Sequence, residues 1–250
     1  MKNTLLKNCI QTAFAFVFLL LCYFAAYAIA GNEQHVPAFA DVCRQTGKLL
    51  ISGGFWSALG ETLLRTLSAL GISFVLALIF ALVAYLLPAF DGFFTPVVSA
   101  LRSLPTLAVL LILYVWWGAN DAPVAVAFLS LFPMLYTGIL AALSGVDKDL
   151  IEMSRVYAVP LHKQIFQLYL PAAAPYVLKE TGAALSFSLK LVVSAEVLVN
   201  TFPSMGNLMQ EARLYNISQL FALVGVTFLI GLLLEGLAAL LAWIVKEKLK

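Results

Sequence analysis

Five stretches of this chain lack any Asp, Glu, Lys or Arg: Asn8 to Asn32, Thr66 to Phe90, Ser103 to Asn120, Ala122 to Val146 and Leu214 to Leu234. Each is close to the ~20 apolar residues that carry an α-helix across a bilayer. No water-soluble fold of this length hides that many uninterrupted apolar runs. The hydrophobic set is 62% of 250 residues, the charged set 11%, and mean hydropathy is +0.97. Soluble domains are nearer 45–50% apolar and about 25% charged, and disordered chains are poorer still in apolar residues. An integral membrane protein is the class that remains. Net charge is +2, which gives no field suited to nucleic acid.

The runs place spans at 10–30, 64–87, 103–118, 122–144 and 218–244. A further span, over 170–195, is apolar but carries Lys179, Glu180 and Lys190. The expected fold is therefore all-α, with six transmembrane helices. Lys2 and Lys7 precede the first span, and Ala28-Ile29-Ala30 resembles a signal-peptidase site. The apolar stretch is longer than the 7–15 residues of a signal-peptide core, so it reads as a retained span.

Cationic residues set orientation. With the N-terminus inside, Lys2, Lys7, Arg102, Lys148, Arg155, Lys163, Lys179, Lys246, Lys248 and Lys250 fall on the cytoplasmic side. Arg44, Lys48, Arg65 and Arg213 fall outside. Both termini are then cytoplasmic.

Between the fourth and fifth spans, residues 147–169 read as a short helix over Asp149–Tyr157, a stop at Pro160, and a second helical piece over Leu161–Leu170. The segment is either a solvated loop or a docking element for a soluble partner. Its spacing is distinctive. Glu152-Met153-Ser154 is followed after three residues by Ala158, and after nine more by Leu168-Tyr169-Leu170-Pro171. This resembles the cytoplasmic signature of binding-protein-dependent ABC importer permeases: Glu-Ala-Ala, three residues, Gly, nine residues, Ile-x-Leu-Pro. Leu101-Arg102-Ser103-Leu104-Pro105 through Ala108, Trp116-Trp117-Gly118, and Lys190 through Ala195-Glu196 are similar to further family segments. Together they resemble the branch that includes nitrate, sulfonate and taurine permeases. Three departures stand out: Ala158 for Gly, Leu189 where the branch often has Trp, and Ser204-Met205-Gly206 for Gly-Leu-Gly.

The resemblance implies a type I permease domain over residues 57–241, an N-terminal helix and outer segment over 1–56, and a basic cytoplasmic tail over 242–250. It implies a cytoplasmic coupling helix in which Glu152, Met153, Ser154, Ala158, Leu168, Leu170 and Pro171 meet a separate ATP-binding cassette ATPase, present in two copies. It further implies an extracellular or periplasmic substrate-binding protein, a permease homodimer, and a bacterial inner or plasma membrane. The chain has no GxxxxGK[ST] phosphate loop. Ile51-Ser52-Gly53-Gly54 only superficially resembles an ATPase signature and reads as a turn before the second span. No catalytic residue, metal site or cofactor is expected.

Ionisable groups within a span cost about 2.5–3.5 kcal/mol each on insertion scales and so draw attention. At 100° per residue Lys179, Gly182, Ser186 and Lys190 share one sector. Ser186, Lys190 and Glu196 are the candidate pathway residues. Lys190 either faces the pathway, where it favours an anion or an electron-rich heterocycle, or contacts Glu196 or a carbonyl. Glu196 is either a gate hydrogen-bond partner or a solvated helix end. Glu235 reads as a cross-helix partner, and Ser73, Ala77 and Ala81 as a close-packing stripe. The cargo implied is a small organic anion such as a sulfonate, or nitrate. A vitamin-precursor or heterocycle permease is the alternative. An ATP-independent secondary transporter would need coupling carboxylates or an inverted repeat, and neither is present in the sequence. A membrane enzyme fits poorly, because His35 and His162 are the only histidines and no paired carboxylates accompany them.

Overall fold

The structure, a computed structural model, describes residues 14, 17, 18 and 20–248. The first part of the expected 10–30 span, Cys9, Leu249 and Lys250 lie outside them. The described elements are helical throughout: α1 (Leu20–Ala30), α2 (Phe39–Ile51), α3 (Gly53–Leu86), α4 (Pro88–Ser103), α5 (Thr106–Ser144), α6 (Lys148–Val156), α7 (Leu161–Gln164), a π-helical turn (Ile165–Tyr169), α8 (Leu170–Val199), α9 (Met205–Tyr215) and α10 (Ile217–Lys248). Lipid supplies no hydrogen bonds, so each apolar segment satisfies its backbone within itself.

Four helical runs among the described residues are long and apolar enough to cross a membrane: Gly53–Leu86, Thr106–Ser144, Leu161–Val199 and Ile217–Ile244. The expected third and fourth spans both lie on α5. It is broken at Gly118, whose φ of 77° and ψ of −179° leave the helical region. Pro123 and Pro133 stay inside helix. Residues 88–103, between the expected second and third spans, form the 16-residue α4. Gly53-Gly54 is the first turn of α3, and the chain bends one residue earlier, at Ser52. Between the last two expected spans lies α9, over Met205–Tyr215.

Two compact units emerge. One contains the described residues up to Ser52 and Met209–Val226. Within it the Tyr23 hydroxyl donates to the Pro37 carbonyl at 2.6 Å, and its ring meets Phe39 and Phe221 edge-on at 5.9 and 6.1 Å. Cys22 and Cys43 are free and exposed.

The other unit runs over Gly53–Leu208 and from Thr227 onward, and it holds the main core. Ala69, Ser73, Ala77 and Ala81 recur every fourth residue on α3, and all are fully buried. Small side chains let backbones approach closely. Against them pack Leu131, Leu135, Ile139 and Leu143 of α5, with Ala173, Val177, Ala184 and Val192 of α8. The Ser73 hydroxyl is satisfied within its own helix, by the Ala69 carbonyl at 2.7 Å. Aromatic rings tie α4 in: Phe94 stacks on Phe80 at 4.9 Å. The Asp91 carboxylate of α4 accepts from the Tyr136 hydroxyl at 3.3 Å.

Candidate functional site

Two regions carry the residues singled out in the sequence. The first is the α6–α7 element. Asp147 caps α6, its Oδ1 accepting from the Asp149 N–H at 2.9 Å. The other end closes with two reverse-turn bonds: Val159 N–H to the Ser154 carbonyl at 2.9 Å, and Ala158 N–H to the Arg155 carbonyl at 3.0 Å. That pair defines a Schellman motif, whose C′ residue is left-handed and usually Gly. Here it is Ala158, at φ 49°. The family signature has Gly at this position, and the backbone explains why. The Gln164 side chain donates to the Val159 carbonyl at 2.7 Å and holds α7 against the turn.

Met153, Ser154 and Leu168 come together around a groove of about 260 Å³, with Leu150, Tyr157, Lys163 and Gln167. Glu152 and Ala158 are exposed on the same element, while Leu170 and Pro171 are half-buried where it runs into α8. The helical run is continuous from Leu161 to Val199, with Pro171 in the first turn of α8. The wide π turn just before Pro171 accommodates a residue with no N–H to donate. Leu150, Met153, Val156, Tyr157, Leu161 and Phe166 are all more than 40% exposed, leaving an uncovered apolar face beside Glu152.

The second region surrounds Glu196, which is fully buried. Arg65 Nη1 donates to Glu196 Oε1 at 3.1 Å and to the Pro203 carbonyl at 3.1 Å. The Thr62 hydroxyl lies 2.9 Å from Oε2, and the Gly206 N–H donates to Oε2 at 3.3 Å. Met205 N–H in turn donates to Thr62 Oγ1 at 3.0 Å. One carboxylate thus pins the start of α9 to α3 and α8. Gly206 is required there, because a Cβ would sit 2.5 Å from Val197 N. The connection itself is closed by Asn200, at φ 53°, and by the Thr201 hydroxyl donating to the Ala119 carbonyl at 2.6 Å.

The polar sector of α8 is divided. Ser186 is buried, donating to the Gly231 carbonyl at 3.0 Å and lying 3.4 Å from Glu235 Oε2. Gly182 faces Ala238. Both contacts are to α10, whereas Lys179 and Lys190 are exposed. The ion-pair partner of Glu196 is Arg65, not Lys190. Thr62 and Arg65 were not singled out in the sequence. The only signal there was an arginine heading a charge-free apolar run, read for topology alone.

Beside this cluster opens a cleft of about 760 Å³ between α3, α5 and the 202–203 turn, lined by Glu61, Arg65, Ser68, Trp117, Asn120, Asp121, Phe128 and Phe202 among others. The Gly118 break places Trp117 and Asp121 on its wall.

Residues 73–245 match the family described as binding-protein-dependent transport system inner membrane component. The chain belongs to this family. The permease is 26% identical over 197 residues to the putative aliphatic sulfonates transport permease of Bacillus subtilis, covering 78% of this chain and 71% of that protein. It is 24% identical over 188 residues to the taurine transport permease of Escherichia coli, covering 74% and 68%. The nitrate import permease of Synechocystis is 25% identical over 226 residues, covering 85% and 81%. These relatives place the permease in the nitrate, sulfonate and taurine branch, as a multi-pass inner-membrane protein. Its fold matches the inward-facing MetNI methionine ABC transporter, with TM-score 0.69 at 16% identity over 77% of this chain and 96% of that one. It also matches an amino acid ABC transporter crystallised with histidines, with TM-score 0.64 at 19% identity over 76% and 92%.

Proposed function

We propose that this permease is the membrane subunit of an ATP-driven importer, forms the substrate pathway as a homodimer, and couples it to two copies of a separate ATPase. The observation that carries this reading is the α6–α7 element, with Glu152 and an uncovered apolar face held in fixed geometry by the turn at Ala158. An exposed apolar patch of this kind marks a protein contact. ATP binding closes the ATPase dimer and shifts both coupling elements. The continuous run from Leu161 to Val199 passes that displacement into the pathway as a rigid-body exchange between two states. In this reading residues 57–241 are the permease domain, both termini are cytoplasmic, and a substrate-binding protein delivers cargo from outside. ATP hydrolysis belongs to the partner.

The test is a mild-detergent pull-down from native membranes, comparing wild type with Glu152→Lys. A phosphate-loop ATPase captured by wild type and lost with the variant is the expected result. No ATPase with either, together with transport in ATP-depleted vesicles, would replace this reading with a secondary transporter.

For the cargo, the names of the relatives support a small organic anion such as a sulfonate, or nitrate. A heterocyclic vitamin precursor is the second reading. The cleft favours it, because its lining includes the carboxylates Glu61 and Asp121 and the rings of Trp117, Phe128 and Phe202.

A further inference from the structure

Resting on the importer reading, we infer that the cleft beside Arg65 is a cargo-binding site selective for organic cations with an aromatic or otherwise apolar body. Among the described residues Arg65 is the one cation lining the cleft, and its charge is already committed to buried Glu196 at 3.1 Å and to the Pro203 carbonyl. Its side chain is only 9% exposed, so it offers little to an incoming anion. Glu61 lies 3.8 Å from Arg65 and is 47% exposed, and Asp121 on the facing wall is exposed with no ion pair among the described residues. Counting buried Glu196, three carboxylates stand against one guanidinium, and the surplus faces the cleft.

The remaining surface supplies the second half of the recognition. Trp117 is 57% exposed and Phe202 72% exposed, and both rings line the cleft with Phe128. A ring face attracts ammonium and heteroaromatic cations through its quadrupole. The exposed carboxylates on the cleft wall add a Coulomb attraction for a cation, moderated by water and salt. The same charges disfavour sulfonate and nitrate at this cleft, so its selectivity separates the two cargo readings given above. Lys190, the cation that would have favoured an anion, is exposed elsewhere on α8 and does not line this cleft.

The test is equilibrium binding to the full-length permease in lipid nanodiscs, without ATP, ATPase or binding protein. Failure of coupling therefore leaves this readout untouched. The probes are benzyltrimethylammonium and benzenesulfonate, of similar size and opposite charge. The cation is expected to bind at least about tenfold tighter. Asp121→Asn should weaken it by about fivefold, with Asp121→Glu restoring it and Asp149→Asn, on α6, leaving it unchanged. Trp117→Leu should weaken the cation too. Equal or tighter binding of the sulfonate, absence of cation binding, or cation binding indifferent to both Asp121→Asn and Trp117→Leu would each overturn the inference.

Discussion

The guanidinium of Arg65 and the carboxylate of Glu196, 131 residues apart in sequence, meet at 3.1 Å, with Glu196 fully buried and Arg65 nearly so at the wall of the cleft. Removing either partner leaves a buried charge, which costs about 3–5 kcal/mol. Replacing both with apolar residues removes that penalty. Arg65→Met and Glu196→Met should each lower thermal stability in detergent sharply, and the double variant should lose clearly less than both single losses combined. Strictly additive losses would mean the pair is not an energetic unit.

Gly206 tests how tightly α9 must lie on α8. A Cβ there would meet Val197 N at 2.5 Å and Glu196 C at 2.6 Å, and backbone cannot yield as a side-chain tip can. Gly206→Ala should detach the Gly206 N–H from Glu196, lowering both melting temperature and ATP-driven uptake. Gly236→Ala, where nothing lies within 4 Å, should do neither.

Ala158 holds a left-handed backbone at φ 49°, which costs an L-residue roughly 1–2 kcal/mol. Being exposed, its methyl contributes no core packing. Ala158→Gly should therefore raise thermal stability by about 1 kcal/mol while ATPase capture is kept. Ala158→Val should lower both. A destabilised Gly variant would show that the turn does not need a left-handed residue.

Gly118 is a different kind of constraint. At φ 77° and ψ −179° it occupies a region essentially reserved for glycine, where another residue costs about 1–3 kcal/mol. No atom lies within 4 Å of a Cβ built there, so the penalty is purely one of backbone. Gly118→Ala should shift tryptophan emission, through neighbouring Trp116 and Trp117, and reduce uptake. Gly60→Ala, in open space within α3, should stabilise by up to about 1 kcal/mol.

The α6 helix was legible because its constraints are local. Its stop was expected at Pro160, whereas the chain already turns at Ala158, in a left-handed conformation. The break in α5 was harder to place. Pro123 and Pro133 are the conspicuous breakers, yet both stay helical and the chain turns at Gly118. Packed neighbours can satisfy the backbone around an embedded proline, whereas no neighbour removes the steric demand of positive φ.

Glu196 and the sector from Lys179 to Lys190 mark where local reading ends. Angular spacing put Gly182, Ser186 and Lys190 on one side of α8 correctly as a matter of helix geometry. It could not say that α10 covers Gly182 and Ser186 while Lys190 remains exposed. Nor could it choose Arg65 over Lys190 as the partner of Glu196. By itself the sequence determined the membrane class, the long apolar helical runs and the short α6 helix, because hydropathy and backbone sterics act over a few neighbouring residues; α4 and α9 came only with the structure. Only the tertiary structure decided which charges are spent on one another and which face the cleft. An ion pair 131 residues apart in sequence is a property of helix packing, and no spacing along the chain encodes it.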